Sequence, residues 1–83
     1  MNYDVIWSAT AENQLAQLWM DESLRPLLAR ATSAIDARLG RNAHDVGESR
    51  EGNQRIEFEL PFAVIFECDT ASRRAKVLYI WAS

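Results

Sequence analysis

The sequence predicts a single α+β domain spanning residues 1–83, with the order β-α-α-β-β-β and a helical hairpin packed on one face of an antiparallel-rich sheet. Three observations predict this fold. Apolar residues recur every three or four positions between residues 11 and 39, which is the helical period. Apolar and polar residues alternate over residues 54–60, which is typical of a strand. A chain of 83 residues provides one hydrophobic core.

A short strand and a first helix are predicted at the start of the chain. The strand is indicated by the alternating apolar residues Tyr3, Val5 and Trp7. Ser8 or Thr10 then supplies a side-chain oxygen that can cap the helix. The buried stripe of this helix is predicted to consist of Ala11, Leu15, Leu18 and Trp19.

A second helix is predicted from about Ser23, because Pro26 is tolerated in a first helical turn. Gly40 stands where a residue in the left-handed conformation would end this helix. The connection between the two helices is short, so they should form an antiparallel hairpin. The buried stripe of the second helix is predicted to consist of Leu24, Leu28, Ala31, Ile35 and Leu39.

The C-terminal half is predicted to form antiparallel strands. Residues 54–60 place Ile56, Phe58 and Leu60 on one face, and Pro61 separates this strand from the next, over residues 62–68. A polar turn at residues 69–72 leads to a last strand that ends at Trp81, and a short extra strand is possible over residues 48–51.

The sheet face away from the helices is expected to be apolar, because both alternating sets of the last strand contain large apolar residues. Two interpretations remain open. Such side chains are either ordinary apolar surface, or a docking site for a partner chain or a second copy, as in a homodimer. The residues predicted to bind a partner are Ile65, Ile80 and Trp81.

A charged hairpin carries the candidate catalytic residues. Gly52-Asn53 suits a type II′ turn, and in the simplest register Arg50 faces Arg55 while Glu48 faces Glu57. An anion such as a phosphate could lie between the two guanidinium groups, with a carboxylate as general base. The alternative is an exposed lattice of charges with little effect on stability. Either way, the Arg55 side of the strand is expected to remain accessible.

Other single residues point to chemistry less strongly. His44 is interpreted as a solvated loop residue, Tyr79 as a core or interface ring, and Cys68 as a small buried apolar residue. One cysteine and one histidine cannot form an internal disulfide or a Cys/His zinc site, so neither a metal nor another cofactor is predicted.

Composition predicts a cytoplasmic protein without a membrane span, since no apolar stretch approaches the roughly 20 residues that cross a bilayer. Twelve acidic and nine basic side chains give a net charge of -3. This charge counts against a surface that holds nucleic acid mainly by neutralising phosphates.

Several segments resemble the ParE/RelE superfamily of bacterial type II toxins, which includes plasmid stabilisation proteins. They are the opening Tyr3-Asp4-Val5-Ile6-Trp7-Ser8, then Ile35-Asp36-Ala37-Arg38-Leu39 and Gly47-Glu48-Ser49-Arg50, and finally the strand pair from Arg55 to Phe66. The resemblance covers nearly the whole chain, and the order of the segments agrees with the predicted β-α-α-β-β-β order.

The resemblance implies a toxin that a cognate antitoxin holds inactive. RelE-like members cut messenger RNA on the ribosome without a metal, whereas ParE-like members inhibit DNA gyrase. The catalytic strand arginine of the nucleases is carried over to Arg55, with Arg50 and Glu48 as looser candidates. The nucleases usually continue beyond the position of Trp81 with a basic segment and a tyrosine, so the expected proton donor is absent here unless Tyr79 substitutes. Catalysis therefore stays open, and the alternative is a non-catalytic protein-binding module or an inactive homologue that retains the fold.

Overall fold

The computed structural model describes residues 2–83, which form a helical hairpin on one face of a five-stranded sheet. The helices are α1 (Ala9–Trp19) and α2 (Arg25–Asn42), and the strands are β1 (Asp4–Trp7), β2 (Glu48–Ser49), β3 (Gln54–Glu59), β4 (Phe62–Asp69) and β5 (Arg74–Ala82). The spatial order is β1-β5-β4-β3-β2, in which β1 pairs with β5 in parallel and the other pairs are antiparallel. The predicted fold class and element order are confirmed.

Ser8 connects β1 to α1 and fixes both to the centre of the sheet. Its hydroxyl accepts a hydrogen bond of 3.0 Å from the Ala11 amide, so Ser8 is the N-cap residue. The same hydroxyl donates to the Leu78 carbonyl at 3.0 Å, and the Ser8 amide donates to the Val77 carbonyl at 2.9 Å. The start of α1 is therefore held against β5.

The second helix is longer than predicted, because it continues through Gly40 to Asn42. Gly40 does not adopt a left-handed conformation, so the expectation that it ends the helix is wrong. Beyond the helix, Ala43 is fully buried, which fixes the chain against the core instead. Gly40 also accepts a hydrogen bond of 2.8 Å from the Tyr3 amide through its carbonyl, which joins α2 to the start of β1.

Replacing Gly40 with alanine should therefore stabilise the protein by about 0.5–1 kcal/mol, because alanine loses less backbone freedom than glycine in a helix. The added methyl group would lie 4.0 Å from Val5 Cγ2, which is an ordinary contact. Urea denaturation of the two proteins measures the difference. A loss of stability in the alanine variant would contradict the helical placement of Gly40.

The hydrophobic core lies between the hairpin and the sheet. Helix α2 contributes Leu28, Ile35 and Leu39, each at most 1% exposed. Large side chains of the two central strands lie opposite them. These are Phe62, Val64 and Phe66 from β4, and Val77 and Ile80 from β5.

A β-bulge in β5 changes which residues face the core. Phe66 pairs with Val77 and Ile65 pairs with Tyr79, so Leu78 is an extra residue without a partner in β4. The simple alternation expected from the sequence therefore fails at this position. Val77 and Ile80 both point to the helices, whereas Tyr79 points away.

The polar side chains of β3 lie on the face of the sheet that carries the helices, rather than on the helix-free face. Arg55 pairs with Phe66 and Glu57 pairs with Val64, and residues directly opposite in a sheet share a face. Arg38 of α2 reaches over this edge to Glu57 at 2.9 Å and to Glu59 at 3.1 Å. The expected alternation of apolar and polar residues in β3 is confirmed, but the charged side chains of β3 lie beside α2 and form ion pairs with it.

The hairpin between β2 and β3 also contains an extra residue. The Arg50 amide donates to the Gln54 carbonyl at 2.7 Å, and the Gln54 amide donates to the Glu51 carbonyl at 3.0 Å. Both Arg50 and Glu51 therefore lie opposite Gln54. Gly52 has the positive φ expected of it, at 60°.

The pairing predicted for this hairpin is consequently wrong by one residue. Glu48 pairs with Ile56, and Ser49 pairs with Arg55.

No helix in the part of the chain that the structure describes is long and apolar enough to cross a membrane.

Candidate functional site

Arg55 fixes the loop that joins the end of α2 to β2. Its Nε donates to the Val46 carbonyl at 2.7 Å, and its Nη2 donates to the Gly47 carbonyl at 3.0 Å. The guanidinium group is half-buried, so it is neither enclosed in the core nor fully open to solvent. Gly47 permits this arrangement because its φ of 68° is rarely adopted by other residues.

The three predicted catalytic residues do not converge. Glu48 is exposed and shares the helix-free face with Ile56, its partner in β3. Arg50 is exposed in the bulge, and Arg55 lies on the opposite face of the sheet, bonded to backbone carbonyls. Arg50 lies opposite Gln54 rather than Arg55, so the pairing on which the predicted anion site depended is wrong, whereas the catalytic roles of Glu48, Arg50 and Arg55 stay predictions.

A shallow cavity of about 150 Å³ adjoins Arg55 on the helix side. No carboxylate lines it, although the chain is acidic overall. Hydroxyl, amide and guanidinium groups can all donate hydrogen bonds at this place, so its chemistry suits a small oxyanion. The lining residues are His44, Ser49, Gly52, Asn53, Arg55, Cys68 and Thr70.

His44 is half-buried and has hydrogen-bonding neighbours, unlike the solvated residue expected from the sequence. The Tyr3 hydroxyl lies 2.9 Å from His44 Nδ1, and the two rings are 5.8 Å apart between centroids. His44 Nε2 lies 3.4 Å from a carboxylate oxygen of Asp45. Burial, followed by the neighbouring Cys68 thiol, raises the pKa of the Tyr3 hydroxyl, so this group remains a neutral hydrogen-bonding partner.

The helix-free side of the sheet, called the outer face below, carries exposed aromatic rings. Phe58 of β3 is 51% exposed and Tyr79 of β5 is 45% exposed. Ile65 and Trp81, two of the three residues predicted to bind a partner, are partly exposed on this face. The third, Ile80, is 1% exposed and points into the core, so the prediction that it binds a partner is wrong. The bulge at Leu78 is the physical reason.

Comparison with solved structures places this geometry in a known architecture. No protein-family model matches the sequence, and a search of curated proteins found no match. The toxin–antitoxin complex RelBE2 from Mycobacterium tuberculosis contains a chain that matches over 100% of both chains, with a TM-score of 0.82 and 19% sequence identity. The chain has the RelE-like toxin fold. At this level of identity the likeness establishes the fold and leaves the activity to be argued from the residues.

Within the RelE-like toxin fold, sequence reasoning identified some surfaces and missed others. It identified Ile65 and Trp81 as accessible and Arg55 as distinct from the core residues. It missed the contact between Tyr3 and His44, which are 41 positions apart in the chain. The hydroxyl group of Tyr3 was the signal that could have indicated this contact, because the hydroxyl group of a buried tyrosine usually has a hydrogen-bond partner.

Proposed function

We propose that this chain is the toxin of a bacterial type II toxin–antitoxin pair, and that it inhibits growth by binding a protein target such as DNA gyrase. A cognate antitoxin holds it inactive. The full-length likeness to a chain of a toxin–antitoxin complex supports the role of a toxin with a partner. The choice of protein binding rests on the geometry of Arg55.

The donors Nε and Nη2 of Arg55 are bonded to the carbonyls of Val46 and Gly47, so they hold the protein's own backbone. A ribonuclease needs a base and an acid within reach of one phosphodiester, together with a cation that stabilises the charge that develops. Glu48 lies on the opposite face of the sheet from Arg55, and both Glu48 and Arg50 are exposed to solvent. This dispersal favours inhibition by binding over cleavage of messenger RNA.

Metal-independent cleavage of messenger RNA on the ribosome is the second candidate, and one observation favours it. The cavity beside Arg55 brings a histidine, two hydroxyl groups and a guanidinium together without a carboxylate. A phosphate of RNA bound there would lie near His44.

Controlled expression of the protein in a bacterial host, without its antitoxin, tests both candidates. We expect growth arrest, inhibition of supercoiling when purified protein is added to gyrase, and no discrete cleavage of messenger RNA by primer extension. The double variant Glu48→Gln, Arg50→Ala should arrest growth as the wild type does. A matched double variant on the helical hairpin, Glu22→Gln in the connection and Arg30→Ala in α2, is the helix variant that controls for the change in surface charge.

Two outcomes would overturn this proposal. Discrete messenger RNA cleavage that disappears in the Glu48→Gln, Arg50→Ala variant, but not in the helix variant, would establish the nuclease instead. Growth that continues undisturbed while soluble protein accumulates would contradict the toxin role itself.

A further inference from the structure

A polar cavity of about 260 Å³ lies on the outer face, at the end of the sheet where β5 begins. Its lining spans the sheet from β1 to the start of β3, and it combines two acidic, two basic, one amide and one aliphatic side chain. The lining residues are Ile6, Asn53, Glu67, Asp69, Arg74 and Lys76.

The opposite charges around this cavity are separated by strand and are not paired. Strand β4 supplies the carboxylates of Glu67 and Asp69, and strand β5 supplies the cations of Lys76 and Arg74. Glu67 lies directly opposite Lys76 in the register, and Asp69 lies directly opposite Arg74. Among residues 2–83, none of these four side chains takes part in an ion pair. The acidic column on β4 and the basic column on β5 are therefore both available to a ligand.

Asp69 is fixed by the turn between β4 and β5 rather than by Arg74. Its Oδ1 accepts hydrogen bonds from the Ala71 amide at 3.0 Å and from the Ser72 amide at 3.2 Å. These hydrogen bonds, that of Ser72 before that of Ala71, hold the pKa of the Asp69 carboxyl group below its ordinary value. Asp69 therefore stays ionised at neutral pH and keeps its place in the acidic column.

We propose that this cavity binds a small zwitterion, namely a free α-amino acid with an apolar side chain. The ammonium group of the ligand lies at the acidic column, its carboxylate lies at the basic column, and its side chain lies against Ile6. This inference goes beyond the proposed function and does not rest on it.

The charges of the lining disfavour the other classes of small ligand. A simple anion would approach the carboxylates of β4, and a simple cation would approach the cations of β5, so each would be repelled by one column. An uncharged apolar molecule would remove charged groups from water without replacing their hydration. A zwitterion offers each column an opposite charge and charge-assisted hydrogen bonds. The lining is also neutral as a whole, as a zwitterion is.

The dimensions of the cavity favour an amino acid over a larger zwitterion. Pockets for drug-sized ligands measure about 300–1,000 Å³, so this cavity of about 260 Å³ suits a smaller molecule. The two columns lie on neighbouring strands, which are about 4.8 Å apart. In an α-amino acid the nitrogen lies about 2.5 Å from the carboxylate carbon, so one small molecule reaches both columns.

Ile6 provides the preference for an apolar side chain. It lies on β1 directly beside Lys76, and it is 41% exposed. Covering this side chain with an apolar group of the ligand removes apolar surface of both from water. Leucine should therefore bind more tightly than glycine.

Titration of the purified protein with L-leucine at neutral pH, followed by backbone amide NMR, tests the inference. We expect saturable shifts of the signals of Ile6, Glu67 and Lys76. The dissociation constant should be about 1 mM, because largely exposed charges bind a ligand weakly. Isocaproate, which lacks the ammonium group, and isoamylamine, which lacks the carboxylate, are the matched ligands. Each should bind about tenfold more weakly than leucine or worse.

Variants of the lining identify the contacts. Glu67→Gln and Lys76→Gln should each weaken leucine binding by about fivefold, since one charged group of the ligand then lacks its counterpart. Glu22→Gln and Arg30→Gln are the matched controls, because these exposed residues lie outside the cavity and should leave the affinity unchanged. Ile6→Ser should weaken the binding of leucine but not that of glycine.

Absence of saturable shifts with leucine would overturn the inference, as would unchanged affinity in both Glu67→Gln and Lys76→Gln. Isocaproate that binds as tightly as leucine would assign the cavity to anions instead, and isoamylamine that does so would assign it to cations. Leucine binding is measured without any growth assay. A protein that binds leucine but causes no growth arrest would therefore contradict the proposed function and leave this inference standing.

Discussion

Replacing Gly47 with alanine should destabilise the protein by at least about 2 kcal/mol, because two costs act at the same residue. The φ of 68° is unfavourable for any residue with a Cβ. The added Cβ would also clash with the Ile56 carbonyl oxygen, so the backbone of β3 or of the loop must move. Urea denaturation followed by circular dichroism measures the loss.

Gly52→Ala is the matched control for this prediction. Gly52 has a similar φ of 60°, but no atom lies within 4 Å of the position of an added Cβ. It should therefore lose only the conformational part, about 1–2 kcal/mol. Equal losses in the two variants would show that the close approach to β3 has no energetic role.

Replacing Arg55 with methionine should destabilise the protein by about 2–3 kcal/mol, since two hydrogen bonds from a charged donor are lost. The Val46 and Gly47 carbonyls would then depend on water. Lysine keeps the charge but lacks the planar fork of donors, so Arg55→Lys should recover less than half of the difference. Chemical denaturation of the three proteins gives this ranking.

The same variants distinguish a structural role of Arg55 from a catalytic role. If Arg55 is structural, growth arrest should fall in proportion to the folded fraction, and Arg50→Met should change neither stability nor arrest. An Arg55→Met protein as stable as the wild type but unable to arrest growth would instead indicate direct contact with the target. That result would restore the ribonuclease hypothesis.

Periodic patterns correctly predicted the parts of the fold in which apolar residues recur at a constant spacing. The stripe of Leu28, Ile35 and Leu39 forms the buried face of α2, and the alternation around Ile56 and Phe58 holds throughout β3. In both places burial alone decides the arrangement, so the spacing of apolar residues carries the information.

The predictions that depended on counting residues along a strand were wrong at two bulges. An extra residue at Leu78 moved Ile80 from the predicted partner surface into the core. An extra residue at Arg50 moved Glu48 from Glu57 to Ile56. A bulge depends on contacts made elsewhere, here the hydrogen bond from the Ser8 hydroxyl to the Leu78 carbonyl, so local sequence does not reveal it.

The candidate site was predicted less well than the fold because its key contacts join distant parts of the chain. The type of residue at position 55 indicates a donor of several hydrogen bonds, but nothing in the neighbouring sequence indicates backbone carbonyls as acceptors. The outer face was predicted better, since large apolar side chains on both sides of a strand already imply a second apolar surface.

The position of β5 between β1 and β4 affects how the protein folds during translation. Until residues 74–82 leave the ribosome, β1 has no neighbour in the sheet, and the hairpin lacks the contacts of Val77 and Ile80. Pairing residues 4–7 with residues 74–77 also closes nearly the whole chain into one loop, which is a slow step. A nascent or prematurely terminated chain therefore lacks a complete sheet and a complete outer face.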